Sequence, residues 1–215
     1  MNVFARHSNR STGWLSRNRW GLGLLPLAVV LALAASSDRV KPYWWDSDLH
    51  EPQPAVQGEW FSHSEPYELK TGEQTMSLRL RLDSVRTMSE QELADPLGEE
   101  LPPGTKAVEV TMSFEADPGT PLGGCQAMVR DQDGTQYTYQ QDRVGAVEAG
   151  SPCTPVGAGG PSVLFGELEM PGPDDKERPE KYSVKRAWVL PEKAVVTEVD
   201  LWWTVPQYIA FRAGS

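Results

Sequence analysis

Between residues 20 and 35 the chain reads WGLGLLPLAVVLALAA with no charged side chain, and such a run constrains the fold before any other feature does. Ser36 and Ser37 extend it to the ~18–20 residues that a helix needs to cross the hydrocarbon core of a bilayer. Pro26 falls in its first half, which a membrane helix tolerates where neighbouring groups satisfy the freed carbonyl. Arg6, Arg10, Arg17 and Arg19 precede the run and no acid does. The positive-inside rule therefore predicts a single-pass protein of the cell membrane, with a cytoplasmic N-terminus and an extracytoplasmic C-terminal domain. Trp20 at the near end and Tyr43, Trp44 and Trp45 past the far end are aromatics of the kind found at both membrane interfaces. They favour a signal-anchor retained in the lipid bilayer. Ala32-Leu33-Ala34 also has the A-x-A form of a signal-peptidase site, so cleavage near Ala34, giving a secreted ligand-binding protein, stays open as an alternative. No cysteine closes the apolar run, which removes lipid anchoring through a thioether.

Charge is distributed unevenly around this segment. The four charges before residue 38 are all Arg, so a net charge of -10 for the chain leaves -14 for residues 38–215. A domain that acidic repels phosphate backbones, which excludes nucleic acid as a partner. The organisation expected is a cytoplasmic head over 1–19, a transmembrane anchor over 20–37, a juxtamembrane linker over 38–57 and one extracytoplasmic domain over 58–215. Cys125 and Cys153 are the two cysteines of the chain. Both follow the anchor, where oxidation is permitted, and they read as a disulfide. Closing that loop stabilises by roughly 3 kcal/mol in the chain-entropy model.

Past residue 58 the pattern is short strands punctuated by turns. Residues 59–64 read as a weak first strand. Residues 76–82 alternate Leu inward with Arg outward, and Val85 breaks the parity, which predicts a bulge near Asp83-Ser84. Ser89 with Glu92 matches a capping box opening a helix of one or two turns. Residues 106–115 carry Val108, Val110, Met112 and Phe114 on one face and read as a central strand. Residues 122–131 follow as a strand with Cys125, Ala127 and Val129 on one face. Asp131-Gln132-Asp133-Gly134 turns into Tyr137-Thr138-Tyr139 as a hairpin. Residues 145–161 are a Gly/Pro/Ser loop that Cys153 can pin. Strands are predicted over 163–170, 182–190, 197–204 and 208–211, with a charged loop over 171–180. Many short strands with hardly any helical period predict an all-β fold, an antiparallel β-sandwich after one N-terminal transmembrane helix.

Residues 103–111, PGTKAVEVT, leading to residues 130–137, RDQDGTQY, resemble the G-x-x-x-V-x-V and D-x-D-G-x-x-Y progression of immunoglobulin-like extracytoplasmic domains, anchored or lipidated, of Gram-positive and actinobacterial envelopes. Leu190-Pro191 is similar to a further step of that pattern. The chain departs from it in having Ala116-Asp117-Pro118 where an Asn often ends the central strand, and in its cysteine pair. The resemblance implies a fold and a compartment; it supplies no activity.

The chemistry-bearing side chains form no recognisable catalytic set. His7 lies in the head, His50 in the linker and His63 at the end of the first strand, and none adjoins a nucleophile motif such as G-x-S-x-G. Asp46, Asp48 and His50 are close enough in sequence to meet a metal, yet read more simply as soluble linker. Asp131 and Asp133 open like a calcium loop without its closing acid, so a hairpin turn accounts for them. Glu99-Glu100 and Asp174-Asp175 read as exposed charge. No catalytic, cofactor-binding or metal-binding residue is therefore assigned. Trp202-Trp203 is more informative, because neighbouring strand residues face opposite ways. Trp203, in phase with Val199 and Leu201, is expected inward. Trp202, with Trp188 and Tyr208 as neighbours, is then either an exposed aromatic interaction surface or a site covered by the C-terminal tail. The function expected is a non-catalytic binding or assembly module of the cell envelope, with an envelope or membrane protein as partner and no cofactor. An enzyme acting on envelope polymers is the second alternative, to be recognised by a carboxylate pair about 5–9.5 Å apart in a cleft.

Overall fold

The computed structural model describes residues 13, 17–40, 43, 45–94, 101–173 and 175–214. Arg6, His7, Arg10, Trp44, Glu99, Glu100 and Asp174 lie outside the described residues. Two compact units divide the chain, residues 1–48 and 49–215.

The first unit holds α1, Arg19–Val40, a helix of 22 residues with Pro26 inside it. Its large apolar side chains are exposed all round, from Leu22 to Leu33, and it is long and apolar enough to cross a membrane. Arg17, Arg19 and Trp20 stand at its start, and Tyr43 and Trp45, both exposed, follow its end.

The second unit begins inside the segment expected to be linker. β1, Glu51–Val56, pairs in parallel with β11, Gln207–Arg212, at the edge of a five-stranded sheet. Its composition hid it, because Pro52 and Pro54 argue against a strand. Proline is compatible with an edge, where alternate N–H groups point away from the neighbour and need no acceptor. The sheet continues from β11 through β10, Val196–Trp202, and β5, Gln126–Asp131, to the short β6, Gln136–Thr138. A second, four-stranded sheet has the order β2 (Phe61–Leu69), β3 (Gly72–Thr87), β4 (Thr105–Glu115) and β9 (Lys181–Pro191). The two sheets share one core: Leu78, Leu80 and Leu82 of β3 and Val110, Met112 and Phe114 of β4 meet Val129, Val199, Leu201, Ile209 and Phe211. The fold is thus a β-sandwich, antiparallel except for the β1–β11 pair.

Several local expectations are met for the reasons given. The β3–β4 register shifts between Leu82 and Ser84, where the parity breaks. Ser89 and Glu92 form a capping box on α2, Glu90–Leu93. Asp131 Oδ1 accepts from the Asp133 and Thr135 amides at 2.9 Å each, and Oδ2 from the Tyr137 hydroxyl at 3.0 Å, which commits that carboxylate to the hairpin turn.

β4 carries a second layer on its other face. Ala107 and Ala187 of the neighbouring β9 pack with Met88, Val144 and Val147 into a small apolar cluster beside α2. Gly145 permits it: its φ is +54°, and a side chain there would collide with the carbonyl of Glu92. Arg86 bridges Glu92 at 2.6 Å and the buried Glu109 at 2.7 Å, which gives the outward acid of a covered strand a charged partner.

The predicted strand over 163–170 is instead a separate hairpin, β7 (Ser162–Leu164) and β8 (Glu167–Glu169), turning at Phe165-Gly166. Both turn residues have positive φ, +49° and +76°, the pairing that a two-residue hairpin turn demands.

Cys125 and Cys153 lie at bonding distance with their Cα atoms 6.0 Å apart, joining the start of β5 to the 145–161 loop. Replacing both, as Cys125→Ser with Cys153→Ser, is expected to lower the stability of the sandwich by about 3 kcal/mol. Urea unfolding reads this as an earlier midpoint, and an unchanged midpoint would show the loop to be held without the bond.

Candidate functional site

The three aromatics expected to form a surface separate into two environments. Trp188 is a correction: it is 3% exposed. The β4–β9 register pairs it with Val108 on the inner face, where it packs on Tyr139 at 4.9 Å and donates its Nε1–H to the Tyr137 carbonyl at 3.1 Å. Trp203 packs against the core as its phase predicts. It stacks on His63 at 5.5 Å and donates to the Leu122 carbonyl at 3.2 Å. Trp202 and Tyr208 both lie on the outer face of the five-stranded sheet, each half-buried.

That outer face contains an ionisable cluster that alternation did not reveal. Asp200 sits between Met128 of β5 and Ala210 of β11 and is fully buried although it faces outward. Arg130 donates its Nε–H to Asp200 Oδ2 at 2.6 Å, lies 3.2 Å from Glu198 and covers the Tyr208 ring at 5.5 Å. Among the described residues Asp200 Oδ1 finds no hydrogen-bond partner. Burial pushes the Asp200 carboxyl up to about 7, against the downward pull of Arg130 and with a further push from Glu198. A carboxyl that keeps its proton near neutrality has the protonation state of an acid catalyst. Asp200, however, is fully buried beside Arg130 and lines neither of the two cavities around Gly123-Gly124.

Two cavities adjoin at the turn Gly123-Gly124, and others of about 450, 400 and 380 Å³ lie elsewhere on the sandwich with charged side chains in their walls. A cavity of about 480 Å³ is lined by Gln126, Thr138, Tyr139, Gln141, Ser151 and Thr154 among others, and by no charged side chain. A second, of about 230 Å³, is more apolar, with Tyr67, Met76, Val163 and Trp203 in its walls and Glu65 at its side. Gly123, Gly124 and Ser162 line both.

The wall of the larger cavity is held by buried cations. Arg186 donates to the carbonyls of Ser151 at 2.8 Å and Thr154 at 2.9 Å, and the Tyr182 hydroxyl donates to the Cys153 carbonyl at 2.9 Å. Arg178, 1% exposed, donates to the carbonyls of Asp117 at 2.7 Å and Thr120 at 2.8 Å. Burial lowers the affinity of both guanidinium groups for their proton and pushes the Tyr182 phenol up to about 12. Charge buried in this way is tolerable because carbonyl oxygens replace the lost water. The lining is a set of hydroxyls, amides and backbone groups, suited to hydrogen-bonding an uncharged polar ligand. It contains no nucleophile with a base beside it. Among the described residues no group of three or more His, Cys, Asp or Glu side chains is placed to hold a metal ion.

The signals for this end were weak in the sequence, since its walls come from segments near 65, 124, 140, 152 and 162. No family model matches the chain, and no curated protein does. Among solved structures it is similar to an uncharacterized β-sandwich protein from Clostridium difficile 630. The identity is 9%, over 78% of this chain and 97% of that one, with a TM-score of 0.38.

The raised pKa of Asp200 has a defined consequence for stability. The native state retains a proton that the unfolded chain releases near pH 4, so the contribution is complete below pH 4 and is lost as pH rises through 7. Asp200→Asn removes the titrating carboxyl and leaves position 200 neutral at every pH. Relative to this variant, the natural chain is expected to lose stability as pH rises from 4 to 8. Urea unfolding across that range measures it, and parallel curves for the two proteins would contradict the assignment.

Proposed function

We propose that this protein is a single-pass membrane protein whose β-sandwich, of the immunoglobulin-like envelope type found in Gram-positive and actinobacterial cells, lies outside the membrane as a non-catalytic binding or assembly module. Support for the anchor comes from α1, which is apolar on every side; a helix of that kind is stable in hydrocarbon and not in water. Arg17 and Arg19 stand before it and the first acid, Asp38, comes at its far end, which favours an outward sandwich. The cysteine pair suits an oxidising compartment. The parallel β1–β11 edge and the β4–β9 neighbourhood, reached by a crossover between sheets, agree with an immunoglobulin-like path.

One observation carries the binding role: the cavity of about 480 Å³ with a wholly uncharged, hydrogen-bonding lining, on a segment whose net charge is -14. Uncharged donors and acceptors around a concavity are what orient a ligand or a partner's loop. Photocrosslinking in intact cells tests the proposal, with a photoreactive residue replacing Gln141 at the cavity and another replacing Lys193 in the turn before β10. A discrete adduct from position 141 alone is the expected result. Equal, diffuse labelling from both positions would remove the cavity as the binding surface.

A further inference from the structure

The least economical residue in the fold is Phe165. It occupies a turn position with φ +49°, where Asn or Gly is at ease and a bulky side chain is strained. It also leaves 87% of its surface in solvent. Neither cost is returned by packing, and strain concentrated at one exposed residue points to use rather than to architecture. Its neighbours share the exposure: Leu164 and Met170 are 45% and 65% exposed, and Val163 and Leu168 nearly 40%. Together they make an apolar hairpin, with Phe165 at its tip and Met170 at its base, that belongs to neither large sheet.

The hairpin stands at a particular end of the sandwich. Gly166 accepts from the Lys70 amide in the β2–β3 turn at 2.7 Å, and Val163 shares a cavity with Trp203 and Thr204 of the β10–β11 turn. The polypeptide enters the sandwich at that same turn, where the amides of His50 and Glu51 donate to the Pro206 carbonyl at 3.2 and 3.1 Å. Residues 41–49 are all that separate α1 from this point, a covalent reach of about 30 Å at full extension.

We propose that the β7–β8 hairpin is a lipid-contacting element that lowers the Phe165 tip into the outer surface of the bilayer holding α1. The inference rests on the reading of α1 as a membrane anchor. A tether this short supplies an effective concentration in the millimolar range, so contact too weak to recruit a free protein suffices to hold one already attached. Charge selects the kind of surface. Lys70 neutralises Glu167 at 2.6 Å, Glu169 leaves a negative charge at the hairpin base, and residues 38–215 carry a net charge of -14, so zwitterionic headgroups are accepted and anionic ones oppose contact. An apolar tip at the tethered end distinguishes a lipid surface from a protein partner, for which no such location is required.

Depth-dependent quenching of the full chain in phosphatidylcholine nanodiscs tests this. A bimane label is attached singly at Leu164→Cys beside the tip, at Leu27→Cys inside α1 and at Val195→Cys in the turn at the far end of the sandwich. Intensities are compared between ordinary lipid and lipid brominated in the acyl chains. The expected result is loss of intensity at positions 164 and 27 with none at 195. Quenching at 164 without quenching at 27 would uphold the hairpin contact and remove the anchor. Quenching at 27 alone would overturn the hairpin proposal, leave the anchor standing and assign the patch to a protein partner. No quenching at either position would overturn both. Phe165→Asn, combined with the label at 164, separates the tip from the fold: it is expected to keep or raise the melting temperature and to abolish quenching. Retained quenching in that variant would overturn the role of Phe165.

Discussion

Closure of the β6–β9 side of the sandwich by the 145–161 loop is the constraint on which the candidate site depends. β6 is only three residues long and meets β9 at Trp188, whose indole donates to the Tyr137 carbonyl; the loop covers the stretch of β9 before it. The loop has no regular ladder of its own to satisfy its carbonyls, and three side chains of β9 and its approach do so instead: Arg178, Tyr182 and Arg186. Because an unpaired polar group in that position would be costly, the donors and the loop stabilise one another. The Cys125–Cys153 pair then fixes the loop to the opposite sheet, and the large cavity is the space left between.

The same end of the molecule is where both turn chemistry and exposed apolar surface depart from what stability alone would select. The opposite end is ordinary by comparison, with Asp131 capping its hairpin and the β9–β10 turn carrying Glu192 and Lys193 into solvent. Asymmetry of this kind between two ends of a sandwich gives the domain a direction, and the chain enters it through His50 and Glu51 at the end that carries the hairpin and the two cavities around Gly123-Gly124.

Reading strands from alternation succeeded where one face meets the core and the other meets water, as in β3, and in the inward face of β4. It failed where burial has another cause. Asp200 is buried on an outward face by Arg130 and its neighbours across the sheet, and β1 is a strand through its pairing with β11 despite two prolines. Apolar residues over 163–170 suggested a single strand because hydrophobicity does not reveal whether a run continues or turns on itself. Gly166 was the available signal for a turn, and Phe165 beside it concealed the signal.

What the sequence determined by itself was local: an apolar helix, the alternating inner faces of β3, β4 and β5, the capping box at Ser89, the turn at Asp131 and a cysteine pair in reach of one another. Each depends on residues within a few positions, or on covalent chemistry, and so is written in order along the chain. The tertiary structure alone decided which strands became neighbours, which cations would be buried against carbonyls, and where uncharged groups from four segments would meet around a cavity. Those outcomes follow from packing two sheets face to face, and contacts between residues distant in the chain have no periodicity from which they can be read.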